Sequence, residues 1–356
     1  MGSVEGYPSS LYGYGLLSFT TAMQVAYSVR EFLRQATPGT IHAATLGNFD
    51  GVHMGHRELV RMTCEKAAMR HARSVVVTFD PHPVHILRNI ERPELLTPLP
   101  RKLELLDKLG VEAVLVLAFT RDMALMEPGD FIYEYLVEGL SVADIVIGYN
   151  FALGKNRKGN LVSLRRFGGK WGFEVSQVKP VIINGETVSS TLIREQVRCG
   201  NVGRAEKLLG RPYSAEGKVV RGAGRGTGLG FPTANVDYGY TLLPPLGAYA
   251  TWVELLPAKN GGKAEGPWPA MTSVGTNPTF GGSDVTLEVH LLDFTGDLYG
   301  KIVRVHFMNR LRAEIRFNGI AALCERLAHD AREAARVLAA HPLPAAALFH
   351  SIKEET

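Results

Sequence analysis

Two histidines in a glycine-containing segment are the residues best suited to act on a phosphate. His53 and His56 flank Gly55 at the end of the run Gly47-Asn48-Phe49-Asp50-Gly51-Val52-His53-Met54-Gly55-His56. The run lies between a predicted strand and a predicted helix, where backbone N–H groups and the positive end of the helix can approach an anion. Two imidazoles aimed at one anion would stabilise the charge that develops on phosphate oxygens during transfer. The alternative is a turn with two surface histidines.

A hydroxyl and a guanidinium form a second pair further along the chain. Ser190 and Arg194 start a predicted helix in Ser189-Ser190-Thr191-Leu192-Ile193-Arg194. Residues four apart share a helix face, so this pair can hold the β and γ phosphates of ATP. The alternative is that the serines and threonine only cap the helix.

The segment between these two pairs contains a loop rich in glycine and lysine. It runs from Gly148 to Gly159, contains Asn150, and directly follows a predicted strand. In open α/β sheets, ligands bind at the loops that follow the carboxyl ends of parallel strands. The loop is therefore a third candidate part of the same site.

The second half of the chain has its own candidate site. A glycine-rich stretch from Gly222 to Gly230, which includes Gly226, precedes Pro232-Thr233-Ala234-Asn235. Its glycine spacing matches neither a Walker A loop nor a dinucleotide-binding fingerprint. Even so, it offers backbone donors for phosphate, and Thr233 and Asn235 offer two neutral oxygens for magnesium. The alternative is a flexible hairpin without a ligand.

The elements that must position these residues differ between the two halves. The first half alternates short strands with helices, which predicts a parallel sheet with helices on both faces. Its predicted strands are Ala43–Leu46, Val75–Thr78, Ala113–Leu117 and Ile145–Ile147, and its predicted helices are Leu59–Met69, Lys102–Leu109 and Phe131–Val137. A helical connector over Thr191–Leu209 ends this half.

The second half contains successive strands without intervening helices. Predicted strands are Gly217–Arg221, Ala248–Leu255, Ala270–Val274, Val285–Phe294 and Ile302–Phe307, with residues 259–268 as an exposed excursion. This pattern predicts a small antiparallel barrel or sandwich. Apolar residues at helical spacing, Ile320, Leu323, Leu327, Ala331 and Leu338, predict one helix that closes it.

Length and composition limit the possible functions. The 356 residues predict two domains, and a net charge of +4 suits anionic small ligands better than DNA. We therefore expect no nucleic-acid partner, and, because no apolar run is long enough to span a bilayer, no membrane partner. The cysteines Cys64, Cys199 and Cys324 form no metal or disulfide pattern, which favours the reducing cytoplasm. An oligomer is possible.

Together, the motifs resemble a known enzyme family. The first histidine segment resembles the signature of the nucleotidyltransferase superfamily, which class I aminoacyl-tRNA synthetases share. This segment is followed along the chain by the Asn150-Phe151 loop and then by the Ser-Thr-x-x-Arg helix. The three motifs in this order resemble the adenylyltransferase module of bifunctional riboflavin kinase/FMN adenylyltransferases, also called FAD synthetases. The resemblance extends to Thr78-Phe79-Asp80-Pro81-His82-Pro83 and Leu96-Thr97-Pro98. In the second half, Pro-Thr-Ala-Asn, Gly275–Phe280, Leu287-Glu288-Val289-His290 and Asp297–Gly300 resemble riboflavin kinases.

The resemblance implies a fold, a set of domains and a set of roles. It implies a Rossmann-like nucleotidyltransferase domain over residues 41–210 and a β-barrel kinase domain over 211–356, after an extension of residues 1–40. Catalytic roles fall to His53, His56 and Glu288, the last as the base that deprotonates riboflavin. Thr233 and Asn235 would bind magnesium with ATP, and the other implied binding residues are Gly47, Phe49, Asp50, Pro83, Asn150, Ser190, Arg194 and Gly226.

The implied activity is the synthesis of FAD from riboflavin and ATP through FMN. Departures from the family pattern are Leu192, at a position that is often basic, and Ala152-Leu153, which replace a basic and aromatic pair. An alternative interpretation of Asp80, His82 and His85 is that they are metal ligands. Three rival functions stay open: a protein with one working site, a tRNA-charging enzyme, and a binding module built on a degenerate scaffold.

Overall fold

A six-stranded parallel sheet forms the centre of the first half. The structure is a computed structural model that describes residues 23–91, 93–222, 228, 230–257, 264–276 and 285–343. The strands are β1 (Gln24–Ala26), β2 (His42–Leu46), β3 (Arg73–Phe79), β4 (Ala113–Leu117), β5 (Val142–Ile147) and β6 (Glu174–Gln177). They lie in the order β1-β4-β3-β2-β5-β6, and every neighbouring pair is parallel. The prediction of a parallel sheet is confirmed.

Helices cover both faces of this sheet, as predicted. They are α1 (Val29–Gln35), α2 (Met54–Met69), α3 (Pro83–Arg88), α4 (Leu99–Lys108), α5 (Arg121–Leu125), α6 (Pro128–Phe131) and α7 (Leu161–Trp171). The helix predicted from Phe131 begins as α6 and continues as a π-helical segment, Ile132–Glu138. Strands β2 and β4 are buried at every residue, as expected for strands that are covered on both faces.

The strand order places a ligand site at one edge of the sheet. From β2 the chain adds β3 and β4 on one side, and later β5 and β6 on the other. The direction of winding therefore reverses between β2 and β5, and α/β sheets bind ligands outside the carboxyl ends of such strands. The loops at residues 47–53 and 148–150 follow those two ends.

Residues 23–36, which fall within the range expected to be an extension, take part in the sheet domain. Strand β1 pairs with β4, and α1 places Phe32 in the core, fully buried, with its ring 5.3 Å from that of His42. The sequence hides this strand because it is three residues long and carries no alternating pattern. Residues 23–36 therefore belong to the sheet domain.

The boundary between the two compact units also differs from the expected position near residue 210. The units divide between Ser190 and Thr191. The predicted connector is two helices, α8 (Ser190–Arg198) and α9 (Val202–Leu209), preceded by a small hairpin, β7 (Ile182–Ile183) and β8 (Glu186–Thr187). Helix α9 packs its apolar face on barrel strands, which joins it to the second unit.

The second unit is a closed barrel of six antiparallel strands, as predicted. They are β9 (Tyr213–Val220), β10 (Ala234–Asp237), β11 (Gly247–Leu256), β12 (Glu265–Thr276), β13 (Val285–Leu291) and β14 (Ile302–Ala313), in the order β10-β13-β12-β11-β14-β9. The interior is filled by large side chains, with Tyr213, Tyr249 and Phe307 fully buried. Of the predicted excursion, residues 259–263 lie outside the described residues, and Glu265 already begins β12.

The closing helix is present, and the C-terminal part of its predicted apolar face is buried, with Leu338 in the core and Leu327 packed against the same cluster. Helix α10 (Ile320–Ala340) buries Ala334, Val337 and Leu338 against β11 and β12, whereas Ile320 is 68% exposed. Its middle is held by Asp330, which is buried and ion-paired with Arg312 at 2.7 Å. Within the described ranges, the helices are all too short or too polar to cross a bilayer.

The burial of Phe32 predicts that residues 23–36 stabilise the sheet. Replacing Phe32 with Ala should lower the free energy of unfolding by about 3–5 kcal/mol because it leaves a cavity in the core. The matched control is Leu33→Ala on the same helix, where the side chain is 52% exposed and the change should stay within about 0.5 kcal/mol. Urea unfolding of the full chain, followed by circular dichroism, measures both. Equal stability of the two variants would show that α1 is an appendage.

Candidate active sites

The loop after β2 has a strained backbone. Phe49, Gly51 and Val52 have φ values of 48°, 92° and 39°. A left-handed conformation is costly for a β-branched residue such as Val52, and it persists only where the surroundings enforce it. Such strained segments concentrate at functional sites. This loop delivers the chain to the first turn of α2.

His53 and His56 lie face to face at the start of α2. Their rings are stacked, with centroids 3.6 Å apart and planes inclined by 16°. His53 is the N-cap residue, and its Nδ1 accepts the backbone N–H of His56 at 3.3 Å. A neutral His53 ring that accepts at Nδ1 carries its proton on Nε2. That Nε2–H is a donor next to the positive end of the helix, which is the arrangement that binds a phosphate.

Two neighbours hold this pair of rings. A Cβ at Gly55 would lie 3.2 Å from Cε1 of His53, so any larger residue would press on the imidazole. Phe49 is buried, and its ring lies 5.0 Å from that of His56. Phe49 was expected to bind a ligand, but its described contact is packing that supports His56. Gly47 directly follows β2 and donates its N–H to the carbonyl oxygen of Val77.

Asp50 joins the loop to two other segments. Its carboxylate is 1% exposed and accepts the backbone N–H groups of Leu96 and Thr97 at 3.1 and 2.9 Å. Its carbonyl oxygen accepts the hydroxyl of Ser190 at 2.8 Å. The structure therefore gives both Asp50 and Ser190 a contact that positions the loop, in addition to the ligand binding expected of them.

A buried lysine near this loop was missed from the sequence. Lys102 in α4 is 4% exposed, and its Nζ lies 3.4 Å from Oγ1 of Thr78. A signal was present, because Lys102 shares one helix face with Leu99, Leu103 and Leu106, and an apolar face seldom carries a lysine.

The remaining predicted residues of this site lie in nearby segments. Asn150 is exposed in the loop after β5, where the side-chain amide of Gln177 donates to the carbonyls of Gly148 and Tyr149. Pro83 is the buried first residue of α3. Arg194 lies one turn after Ser190 in α8, within the second compact unit, and its role stays a prediction.

The alternative of a metal site at Asp80, His82 and His85 gains no support. Nδ1 of His82 caps α3 by accepting the N–H of Val84 at 3.2 Å. Among the residues that the structure describes, no three histidine, cysteine, aspartate or glutamate side chains are grouped to hold a metal.

The barrel brings its own predicted residues together. The hydroxyl of Thr233 donates to Oε2 of Glu288 at 3.4 Å. Asn235 lies directly opposite Glu288 in the register of β10 and β13. Facing residues of an antiparallel pair have Cβ atoms about 5 Å apart, so their side chains act at one place. Three oxygen-bearing side chains therefore meet at this point of the barrel.

The start of the glycine-rich stretch packs on this cluster. A Cβ at Gly222 would lie 2.0 Å from Nδ2 of Asn235, so a larger residue there would displace the Asn235 amide from the cluster. His290 donates from Nδ1 to the carbonyl of Pro232 at 2.8 Å and so steadies the residue before Thr233. The sequence did not predict that role for His290. Gly226, which was expected to bind ATP, lies outside the described residues, as do residues 277–280 of the Gly275–Phe280 motif.

Comparison with known proteins accounts for both halves. The family described as FAD synthetase matches residues 37–192, and the family described as riboflavin kinase matches residues 209–338. A crystal structure from Streptococcus pneumoniae, described as a macrolide-efflux protein, is 30% identical and superposes with a TM-score of 0.75 over 89% of this chain and 99% of its own.

Curated relatives cover most of the chain. A bifunctional riboflavin kinase/FMN adenylyltransferase from Escherichia coli K12 is 37% identical over 80% of this chain and 89% of its own. One from Bacillus subtilis is 36% identical over 82% of this chain and 90% of its own. The paired histidines on the parallel sheet, the glutamate and threonine on the barrel, and these relatives agree: the chain belongs to the bifunctional riboflavin kinase/FMN adenylyltransferase family.

Proposed function

We propose that this chain is an enzyme that makes FAD from riboflavin in two reactions that each consume ATP. In the first, the riboflavin 5′-hydroxyl attacks the γ-phosphorus of ATP to give FMN and ADP. In the second, the FMN phosphate attacks the α-phosphorus of another ATP to give FAD and pyrophosphate. The observation that carries the proposal is the stacked pair of His53 and His56 in the sheet unit together with the hydrogen bond between Thr233 and Glu288 in the barrel unit. Both matched families and the names of the curated relatives support it.

Adenylyl transfer belongs to the sheet unit. FMN brings its own attacking oxygen, so the protein needs no covalent nucleophile and acts by positioning and charge stabilisation. The stacked imidazoles of His53 and His56 and the first N–H groups of α2 supply donors to the phosphates. In this structure Ser190 donates its hydroxyl hydrogen to Asp50, so it must turn if it is to bind phosphate. Gly47, Asn150, Pro83 and Arg194 stay proposed binding residues.

Phosphorylation of riboflavin belongs to the barrel unit. Glu288 is the general base that removes the proton from the 5′-hydroxyl as the new P–O bond forms. Thr233 points its hydroxyl hydrogen at Glu288, which leaves the lone pairs of Oγ1 for another partner.

The oxygen donors of the barrel cluster fit magnesium. Thr233 and Asn235 offer neutral oxygens beside a carboxylate, and hard oxygen ligands are those that Mg²⁺ prefers. These two residues would hold the ion together with ATP, and the bound ion would neutralise phosphate charge. We also propose a cytoplasmic location, which the free thiols of Cys64, Cys199 and Cys324 support.

The rival functions account for fewer of the observations. A tRNA-charging enzyme would use the histidine pair but has no use for Glu288 beside Thr233 in a closed barrel. A binding module has no chemical reason to hold that cluster together. A protein with one working site stays an outcome of the experiment below.

The direct test is to incubate the pure protein with riboflavin, ATP and magnesium and to resolve the flavins by chromatography. We expect FMN to appear first and FAD to follow, with ADP and pyrophosphate as the other products. Formation of FMN alone would indicate one working site. If neither FMN nor FAD forms, the binding-module function would be favoured instead.

The histidine stack predicts selective loss of FAD. His53→Ala should lower the rate of FAD formation by about 10²–10³-fold, because it removes a donor to developing phosphate charge. FMN should then accumulate at the normal rate. His53→Asn is the control for helix capping, since asparagine is a good N-cap without the imidazole donor. The two variants should be equally impaired in FAD formation. Normal activity of His53→Asn would show that His53 acts only as the N-cap of α2.

The carboxylate of Glu288 predicts the opposite selectivity. Glu288→Gln should slow FMN formation by about 10²–10⁴-fold because the base is lost, while FAD is still made when FMN is supplied. Glu265→Gln, on an exposed position of β12, is the matched control and should leave both rates unchanged. Simultaneous loss of both activities in Glu288→Gln would contradict two separable sites.

A further inference from the structure

Lys102 is a charged side chain that neither proposed reaction uses directly. It lies in α4, 4% exposed, and burial lowers the pKa of its ammonium. The charges of Asp50 and Asp80 oppose that shift. A buried ammonium without opposite charge is strongly unfavourable, and these two carboxylates favour the charged form of the lysine.

Asp50 is a buried carboxylate and likewise needs partners that replace the water it loses on burial. Its carboxylate is 1% exposed and accepts two backbone N–H groups, from Leu96 and Thr97. These two residues lead directly into α4, the helix that carries Lys102. The hydrogen bonds of Asp50 therefore tie the loop after β2 to the start of α4, and the charge of Asp50 favours the ammonium that this helix carries.

A hydrogen-bonded path also connects Lys102 to the loop. Its Nζ donates to Oγ1 of Thr78 at 3.4 Å, and that hydroxyl donates to the carbonyl of Asn48 at 3.3 Å. Thr78 is fully buried near the end of β3. The loop is thus held at Asn48 through the hydroxyl and at Asp50 through charge, three to five residues before His53.

We propose that Lys102 is a positioning residue for adenylyl transfer, which holds the strained 47–53 loop so that His53 and His56 face the phosphates. This inference rests on the function proposed for the sheet unit. Lys102 is too deeply buried to touch the substrates, so it acts through Asp50, Thr78 and the loop. A loop displaced by about 1 Å is enough to cost about 10²-fold in rate.

Lys102→Met tests the proposal because methionine keeps most of the side-chain volume and removes the charge. We expect kcat for FAD formation from FMN and ATP to fall by about 10- to 100-fold. The KM values for FMN and ATP should stay within about twofold, since Lys102 makes no substrate contact. Riboflavin phosphorylation by the same preparation should be unchanged. Lys108→Met, on the same helix and with an exposed ion pair to Glu104, is the matched control and should match the parent enzyme.

A double variant separates charge balance from packing. If Lys102 acts by balancing Asp50, then Lys102→Met with Asp50→Asn should lose less activity than the product of the two single losses, by about fivefold or more. Losses that simply multiply, or a Lys102→Met enzyme with normal FAD formation, would overturn the proposal.

Thr78→Val decides the matter if Lys102→Met does not fold. It keeps the side-chain shape and leaves the charges in place, but removes the hydroxyl between Lys102 and Asn48. We expect FAD formation to fall by about fivefold or more, since about 1 kcal/mol of positioning is lost, and a normal rate would overturn the path. Failure of the parent protein to make FAD at all would instead reject the function proposed for the sheet unit.

Discussion

The adenylyl-transfer half of this molecule depends on the buried carboxylate of Asp50. An ionised group at 1% exposure is tolerated only where hydrogen bonds and opposite charge replace its water. Leu96 and Thr97 supply the hydrogen bonds, and Lys102 supplies the charge. Because these partners come from a segment almost fifty residues away, satisfying one aspartate brings β2, β3 and α4 to the same place. The loop that carries the histidines can be strained because its ends are fixed in this way.

The barrel positions its site by a different constraint. Asn235 and Glu288 face one another because β10 and β13 pair in a single register. A shift of one residue would move every side chain of a strand to the opposite face, and the buried alternation of β13 prevents that shift. Here the backbone ladder of a closed barrel fixes the geometry. Gly222 adds to this because a side chain there would push the amide of Asn235 out of place.

The sequence predicts what depends on periodicity and local chemistry. Strand Ala113–Leu117 was predicted to the residue, because it is a continuous apolar run between turns. The same reasoning misses β1, where three residues gain their stability from pairing with β4 rather than from any pattern of their own. It also expects Ile320 at the start of α10 to be buried, whereas that residue is exposed, and it does not predict that Asp330 in the same helix is buried through its ion pairs with Arg312 and Arg326.

The direction in which a polar side chain points is the other quantity that the sequence does not contain. Residues 47–56 predict that Asp50 lies near the histidines, and it does, but its carboxylate faces the backbone of residues 96–97. That choice depends on a long-range contact, which local spacing cannot encode.

The same choice explains how a nearly neutral chain can hold a polyphosphate. A net charge of +4 spread over 356 residues provides little attraction at one point. With the carboxylate of Asp50 turned towards its backbone donors, the positive end of α2 and the His53 ring at its N-cap dominate the local potential of the loop. The buried carboxylate therefore serves the site by withdrawing a negative charge from it.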